Sequence, residues 1–376
     1  MFCKNCGKDI GDARFCPDCG TASHEEKIDK ESAAKEKADE KNIADKVKTT
    51  FESMTGGKND NVTFKLSDLW SDVWKKHTRE ESEALLISGT ATTTPSEDEI
   101  GKGWAKPWLY SRIFAVLGIT FALLLFCVWC FQNALSLPGL IFIGAMMMPF
   151  TLLILFWETN IPRNISIFEL VKMFFVGGVA SLVFTLAIFS FVPVGELNVF
   201  GAIMVGIIEE VGKVIAVAIF IRQSKCKYIL NGILIGAAIG TGFSVFESAG
   251  YALVYSSDFN EIIESILMRG LLSAGGHVVW AAMSGAAIML AKGDSEFSMD
   301  VFKKTAFWKL FPVPMVLHAL WDMPFSTIPV LILLIVIAWV FVLALIRTGM
   351  GQINRLQESK LDVSIEDYAE EEGPEK

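Results

Sequence analysis

Residues 207–216 read IIEEVGKVIA and set two carboxylates and an ammonium group, Glu209, Glu210 and Lys213, in the middle of an apolar run. The whole run, near 198–221, is long enough to cross a bilayer as a helix. An ionisable side chain inside a membrane is energetically costly, so such residues usually serve a function. This segment therefore predicts a membrane-embedded fold with a functional site inside it.

The rest of the chain keeps charged and apolar residues apart. Of its 376 residues 52% are hydrophobic, yet the formal net charge is -9. Membrane-length apolar blocks lie near 112–131, 138–157, 168–192, 198–221, 228–255, 271–291, 306–323 and 327–347. Pro312 and Pro314 interrupt the seventh block. The sequence predicts an all-α polytopic membrane protein with about eight transmembrane helices.

Lys and Arg are concentrated in alternate connections between these blocks. They precede the first block and recur between blocks two and three, four and five, and six and seven, and after the eighth, whereas the other connections carry almost none. Because positive charge is retained on the cytoplasmic side, both termini are predicted to be cytoplasmic in a multi-pass protein of the cell membrane.

The N-terminus contains two C-x-x-C pairs, each followed by glycine. Residues 3–20 read CKNCGKDIGDARFCPDCG and supply Cys3, Cys6, Cys16 and Cys19. This spacing is typical of two metal knuckles, and in a reducing cytoplasm such cysteines bind zinc more readily than they form disulfides. We predict a small zinc ribbon with a structural Zn²⁺ ion over residues 1–22.

Residues 23–106 are predicted to be a charged linker. Its mixed positive and negative charges argue against nucleic-acid binding. Within it, apolar residues of FKLSDLWSDVWKKH recur at helical spacing, which predicts an amphipathic helix over 64–78, on the membrane or in a small soluble core.

Further polar residues lie in the later apolar blocks, namely Glu247, His277, His318 and Asp322. The four-residue step from His318 to Asp322 is about one helical turn, so the carboxylate can orient the imidazole. The same step lets Lys213 offset the charge of Glu209, whereas Glu210 is rotated by roughly 100° and needs another partner. The number of residues between each of these groups and the ends of its span indicates its depth in the membrane. By this measure the groups converge on the outer half of the membrane.

Glycines in the fifth and sixth blocks predict close helix packing around the polar groups. Gly232, Gly236 and Gly240 repeat every four residues, and Gly275, Gly276 and Gly285 surround His277.

Several chemistries are compatible with this set of residues. A glutamate can act as a general base toward water while histidine donates to an oxyanion or a leaving amine, or the same groups can bind a metal that activates the water. A non-catalytic membrane sensor or scaffold and an ion-coupled transporter are the alternatives. The residues alone do not choose among these.

Three ordered motifs resemble those of the PrsW family of intramembrane proteases, which is related to the CAAX-prenyl-protease and bacteriocin-processing superfamily. They are E-E-x-x-K from Glu209 to Lys213, F-x-x-x-E from Phe243 to Glu247, and H-x-x-x-D from His318 to Asp322. Arg269 and His277 also look like the segment between the family's last two motifs. The resemblance covers residues 110–347.

The resemblance implies a membrane-embedded peptidase, glutamate- or metal-dependent, at 107–348, followed by an acidic cytoplasmic tail at 349–376. The implied catalytic or ligand residues are Glu209, Glu210, Glu247, His277 and His318, supported by Lys213, Asp322 and Phe243. The implied substrate is a membrane protein, such as a single-pass anti-sigma factor cut at its outer side in signalling. The zinc ribbon lies outside this resemblance; ribbons of this size recruit proteins, such as a cytoplasmic protein partner, or nucleic acid, or cap a terminus.

Overall fold

The computed structural model describes residues 2–3, 5–11, 13, 16–21, 44–57, 62, 65–101, 103–224 and 226–371, with side chains described as far as residue 359. The chain forms two compact units, Met1–Ser53 and Met54–Lys376. Residues 22–43 of the predicted ribbon and charged linker lie outside the described residues.

Helices form most of the described backbone, and all but the first lie entirely in the larger unit. Helix α1 covers residues 44–55, and the helices that follow it are α2 Arg79–Leu86, α3 Leu109–Phe131, α4 Leu137–Thr159, α5 Ile167–Lys172, α6 Gly178–Phe191, α7 Val199–Ser224, α8 Ile229–Val254, α9 Phe259–Leu272, α10 His277–Lys292, α11 Thr305–Leu310, α12 Pro312–Trp321 and α13 Ile328–Glu371. A π-helical turn, Met173–Gly177, joins α5 to α6.

Six of the eight predicted spans are confirmed as helical stretches long and apolar enough to cross a membrane. Among the described residues these are Leu109–Phe131, Ala134–Thr159, Ile167–Phe191, Ile229–Val254, Phe259–Lys292 and Ile328–Ser359. The chain is therefore an all-helical multi-pass membrane protein.

The fourth and seventh predicted spans differ from these six. Helix α7 has 26 residues, but each 18-residue stretch of it contains Glu209, Glu210 and Lys213. The seventh predicted span is two short helices, α11 and α12, which meet at Phe311 because Pro312 cannot donate the backbone hydrogen bond that would continue α11. Both exceptions carry residues of the predicted site.

The centre of the larger unit is the contact between α8 and α10, two helices whose glycines predicted close packing against a neighbour. A Cβ atom added at Gly236 would overlap the backbone carbonyl oxygen of Ala281, and one added at Gly285 would overlap that of Gly232. The two backbones therefore touch directly, and this contact fixes the positions of the site residues that α8 and α10 carry.

We expect Gly236→Leu to destabilise the protein by about 3 kcal/mol or more, because its side chain would force α8 away from α10. Thermal unfolding of the purified protein in detergent measures this. Gly250→Leu on the same helix is the matched control, since a Cβ atom there meets no atom within 4 Å. Equal losses in the two variants would contradict the proposed backbone contact.

The predicted amphipathic helix at 64–78 is not formed as one helix. A 3-10 turn covers Leu66–Leu69, turns follow, and a separate helix, α2, starts at Arg79 behind the capping residue Thr78. Polar side chains bond the backbone here instead, as where His77 Nε2 donates to the carbonyl oxygen of Asp72 at 2.9 Å. Such local bonds compete with helix formation.

A buried carboxylate joins the beginning of α3 to the end of α4. Glu158 is 6% exposed. Its Oε1 accepts from the backbone N–H groups of Trp108 and Leu109, both at 2.8 Å, and its Oε2 accepts from that of Tyr110 at 2.9 Å. These N–H groups have no partner within the helix. The two helix ends therefore lie at the same level of the membrane domain.

The predicted tail at 349–376 is not separate at its start, because α13 runs through residue 349 to Glu371 without a break. The Gln357 amide on this extension donates to the backbone oxygens of Glu97 at 2.6 Å and Ile100 at 2.9 Å. The first part of the tail is thus packed against the segment that precedes α3.

Candidate active site

Helix α7 contributes three charged side chains that bind one another. Lys213 is fully buried, and its Nζ donates to Glu210 Oε1 at 2.8 Å and lies 3.4 Å from Glu209 Oε2. Lys213 thus pairs with Glu209, as predicted, but lies closer to Glu210, which corrects the expectation that Glu210 needs another partner. Residues three and four positions apart both lie on one face of a helix. The side-chain conformers therefore decide which glutamate is closer to Lys213.

The second part of the cluster comes from α8, α9 and α10. His277 is the first residue of α10, because Ser273–Gly275 forms a 3-10 turn and Gly276 leaves the helical conformation. Its Nδ1 accepts from Lys213 Nζ at 2.7 Å. The ring proton is therefore on Nε2, which donates to Glu247 Oε2 at 2.9 Å. Arg269 donates to the same oxygen at 2.6 Å.

The third part comes from the short helix α12. His318 is 3% exposed, and its Nδ1 donates to Glu210 Oε1 at 3.0 Å. Its Nε2 faces two carboxylates, Glu209 Oε2 at 3.6 Å and Asp322 Oδ2 at 3.4 Å. The step of four residues thus places Asp322 beside the imidazole, as the sequence predicted.

Aromatic rings enclose these polar groups. The indole of Trp280 stacks on His318 at 4.5 Å between centroids, and Lys213 Nζ lies 4.1 Å from the centre of the Phe243 ring. The sequence analysis did not identify Trp280. Its position three residues after His277, on the same face of α10, is the signal that could have identified it.

A cavity of about 220 Å³ opens beside the cluster. It is lined by Glu209, Glu247, Arg269, His277, His318 and Asp322, together with Phe189, Leu197, Val205, Ser244, Ser248, Tyr251, Ser273, Gly276, Trp280 and Trp321. The side chain of Glu209 is 10% exposed, whereas that of Glu210 is fully buried. The adjacent glutamates therefore differ in environment, because Glu209 lines the cavity and Glu210 is enclosed behind it.

The site fits a divalent cation by its donor types and its charge. Glu209, His277 and His318 offer one ligand atom each, all within 4.8 Å of one another. With neutral imidazoles, four carboxylates face only two cations, Lys213 and Arg269. Glu210 Oε2 also has no hydrogen-bond partner within the described part of the chain. His277 can join as a ligand only where Lys213 releases Nδ1.

The four N-terminal cysteines form a separate cluster. Cys3 Sγ lies 3.4 Å from Cys19 Sγ, and Cys6 Sγ lies 3.4 Å from Cys16 Sγ. These distances are far above a disulfide bond of about 2.05 Å and close to those between thiolates that share a tetrahedral ion. Each pair ends in a glycine at positive φ, Gly7 at 72° and Gly20 at 69°. The predicted four-cysteine site is thus formed.

A comparison with protein families matches the part of the membrane region that carries the polar cluster. Residues 166–346 match the family described as PrsW family intramembrane metalloprotease. The matched range contains each residue of the polar cluster and lies outside the cysteine site. No curated protein and no solved structure matches the chain.

Proposed function

We propose that this chain hydrolyses its substrate with a water molecule that Glu209 activates. Residues 166–346 belong to the PrsW family, which makes the chain a membrane peptidase. The observation that carries the proposal is the contrast between the two adjacent glutamates: one lines the cavity and the other is enclosed. The family membership favours a peptidase over a sensor, a scaffold or a transporter.

In the proposed reaction, Glu209 removes a proton from water as the oxygen attacks the scissile carbonyl carbon. The carbon–nitrogen bond then breaks, and the leaving amine takes up that proton. His318 supports this transfer, because its Nε2 faces both Glu209 at 3.6 Å and Asp322 at 3.4 Å inside the cavity. Glu210 holds the opposite ring nitrogen and thereby fixes the orientation of the ring.

Lys213, Glu247 and His277 form the supporting network of the proposed site. Lys213 bonds both Glu210 and His277, and His277 in turn donates to Glu247. This chain of bonds joins α7, α10 and α8 and keeps the cavity wall in one arrangement. A metal held by Glu209, His277 and His318 would supply a Lewis acid for the water or the carbonyl group.

We propose a peptide bond of a single-pass membrane protein as the substrate, for example a regulator such as an anti-sigma factor. The residues that line the cavity include Leu197, from the connection before α7, and Arg269, from α9. The positive charges of the alternate connections support an outer location for the connection before α7 and a cytoplasmic location for both termini. Cleavage would then occur in the outer part of the substrate's span.

Quantitative profiling of N-terminal peptides tests this function. Membranes are compared from cells that express wild type or Glu209→Gln at matched levels. We expect new N-termini in the outer juxtamembrane part of a single-pass protein, present with wild type alone. Identical profiles under several envelope stresses would contradict the proposed activity.

The N-terminal unit is proposed to be a zinc ribbon that recruits a cytoplasmic protein. The four-cysteine donor set is typical of structural zinc. We expect a Cys6→Ser, Cys16→Ser variant of the purified protein to contain about one zinc ion fewer per chain, measured by atomic emission. Cys226→Ser, at a buried cysteine of the other unit, is the control and should keep the wild-type content. Unchanged zinc in the double variant would exclude the ribbon.

A further inference from the structure

A second cavity lies outside the matched family region, at the beginning of α3. It has a volume of about 570 Å³ and is lined by Val73, Trp74, Lys75, Lys76, His77, Ser82, Trp108 and Arg112. We call these residues the basic interface pocket. Its volume lies within the range of about 300–1,000 Å³ that is usual for small-molecule sites.

Contacts between its own residues hold the wall of the pocket in place. The imidazole of His77 stacks on the indole of Trp108, with 3.8 Å between centroids and an interplanar angle of 5°. The guanidinium of Arg112 donates to the backbone oxygen of Lys75 at 3.3 Å. Through these contacts the segment before α2 is tied to the first turn of α3.

The pocket carries more positive than negative charge. Of its cations, Lys75 pairs with Asp72 at 2.7 Å, and this contact lowers the pKa of the Asp72 carboxyl. The His77 ring faces Glu81 at 3.2 Å. Lys76 and Arg112 are exposed and form no ion pair with an acidic side chain of the described residues. Two cations are therefore available to an anion.

The position of the pocket relative to the membrane restricts its ligand. Arg112 lies in the first turn of the first membrane span, Leu109–Phe131, and Glu158 holds the beginning of this span beside the end of the second. Trp74, which lines the pocket, is 89% exposed, and indoles favour the bilayer interface. The beginning of the first span is on the predicted cytoplasmic side, where anionic lipid headgroups attract Lys and Arg.

We propose that the basic interface pocket binds the phosphate group of an anionic phospholipid headgroup. Lys76 and Arg112 pair with the phosphate oxygens, Lys75 contributes while it remains shared with Asp72, and Trp74 lies among the neighbouring headgroups. The lipid thereby joins the segment before α2 to the first span. This inference does not depend on the proposed peptidase mechanism.

The test measures lipid retained by the full-length protein after purification in mixed micelles of phosphatidylglycerol and phosphatidylcholine. Native mass spectrometry counts each lipid per chain. We expect wild type to prefer phosphatidylglycerol, and Lys76→Gln, Arg112→Gln to lower this preference by about tenfold or more. Where the double variant is not recovered as a monodisperse protein, Lys76→Gln alone replaces it, with an expected loss of about fivefold.

A matched pair of charges elsewhere controls for general electrostatics. Arg222→Gln, Lys309→Gln removes one arginine and one lysine that are also exposed on the predicted cytoplasmic side, and should keep the wild-type preference. An equal loss in this control, or no loss in the pocket variant, would overturn the proposal. Binding of inorganic phosphate to the pocket without any preference for phosphatidylglycerol over phosphatidylcholine would overturn the lipid in favour of a soluble phosphate.

Discussion

Replacing Glu209 by glutamine should lower the rate of peptide hydrolysis by about 10²- to 10⁴-fold, the contribution usual for a general base. Glutamine keeps the size of the side chain but cannot accept the proton of the attacking water. The unfolding temperature should change little, because Glu209 lines the cavity and its bond to Lys213 is the longer of the two, at 3.4 Å against 2.8 Å. Turnover of a reconstituted substrate in proteoliposomes measures the rate.

Two further variants serve as comparisons for Glu209→Gln. Glu296→Gln, at an exposed residue of the connection after α10, should keep the wild-type rate. Glu210→Gln should lower the stability as well as the rate, because Glu210 Oε1 accepts from both Lys213 and His318. If Glu209→Gln lost its activity only in proportion to the folded protein, Glu209 would be a structural residue and the proposed base would be wrong.

The sequence predicted the larger part of the site because two of its signals are local. These are the spacing of residues on a helix and the free-energy cost of a charged side chain inside the bilayer. Charged residues in apolar blocks identified Glu209, Glu210 and Lys213, and a four-residue step correctly placed Asp322 beside His318. The repeated glycines indicated that the fifth and sixth blocks pack closely, but not that these two helices contact each other. These signals need no knowledge of distant contacts.

Other features depended on contacts that spacing does not encode. The partner of Lys213 from another helix is His277, which lies 64 positions later in the chain. The break that makes His277 the first residue of α10 follows from a glycine pair, which helices also tolerate without a break. The segment at 64–78 has helical apolar spacing, but hydrogen bonds from its polar side chains to the backbone replaced the predicted helix.

Replacing Lys213 by methionine should destabilise the membrane domain by about 3–5 kcal/mol, the range for a buried ion pair that loses one partner. Methionine has a similar length but no charge, so Glu210 would remain fully buried without the ammonium that now lies 2.8 Å away. Thermal unfolding in detergent and the abundance in membranes report the loss. Adding Glu210→Gln to Lys213→Met should recover part of the stability, because no uncompensated charge then remains at position 210. Wild-type stability in Lys213→Met would show that the ammonium does not balance an ionised Glu210, and the supporting network proposed for the site would be wrong.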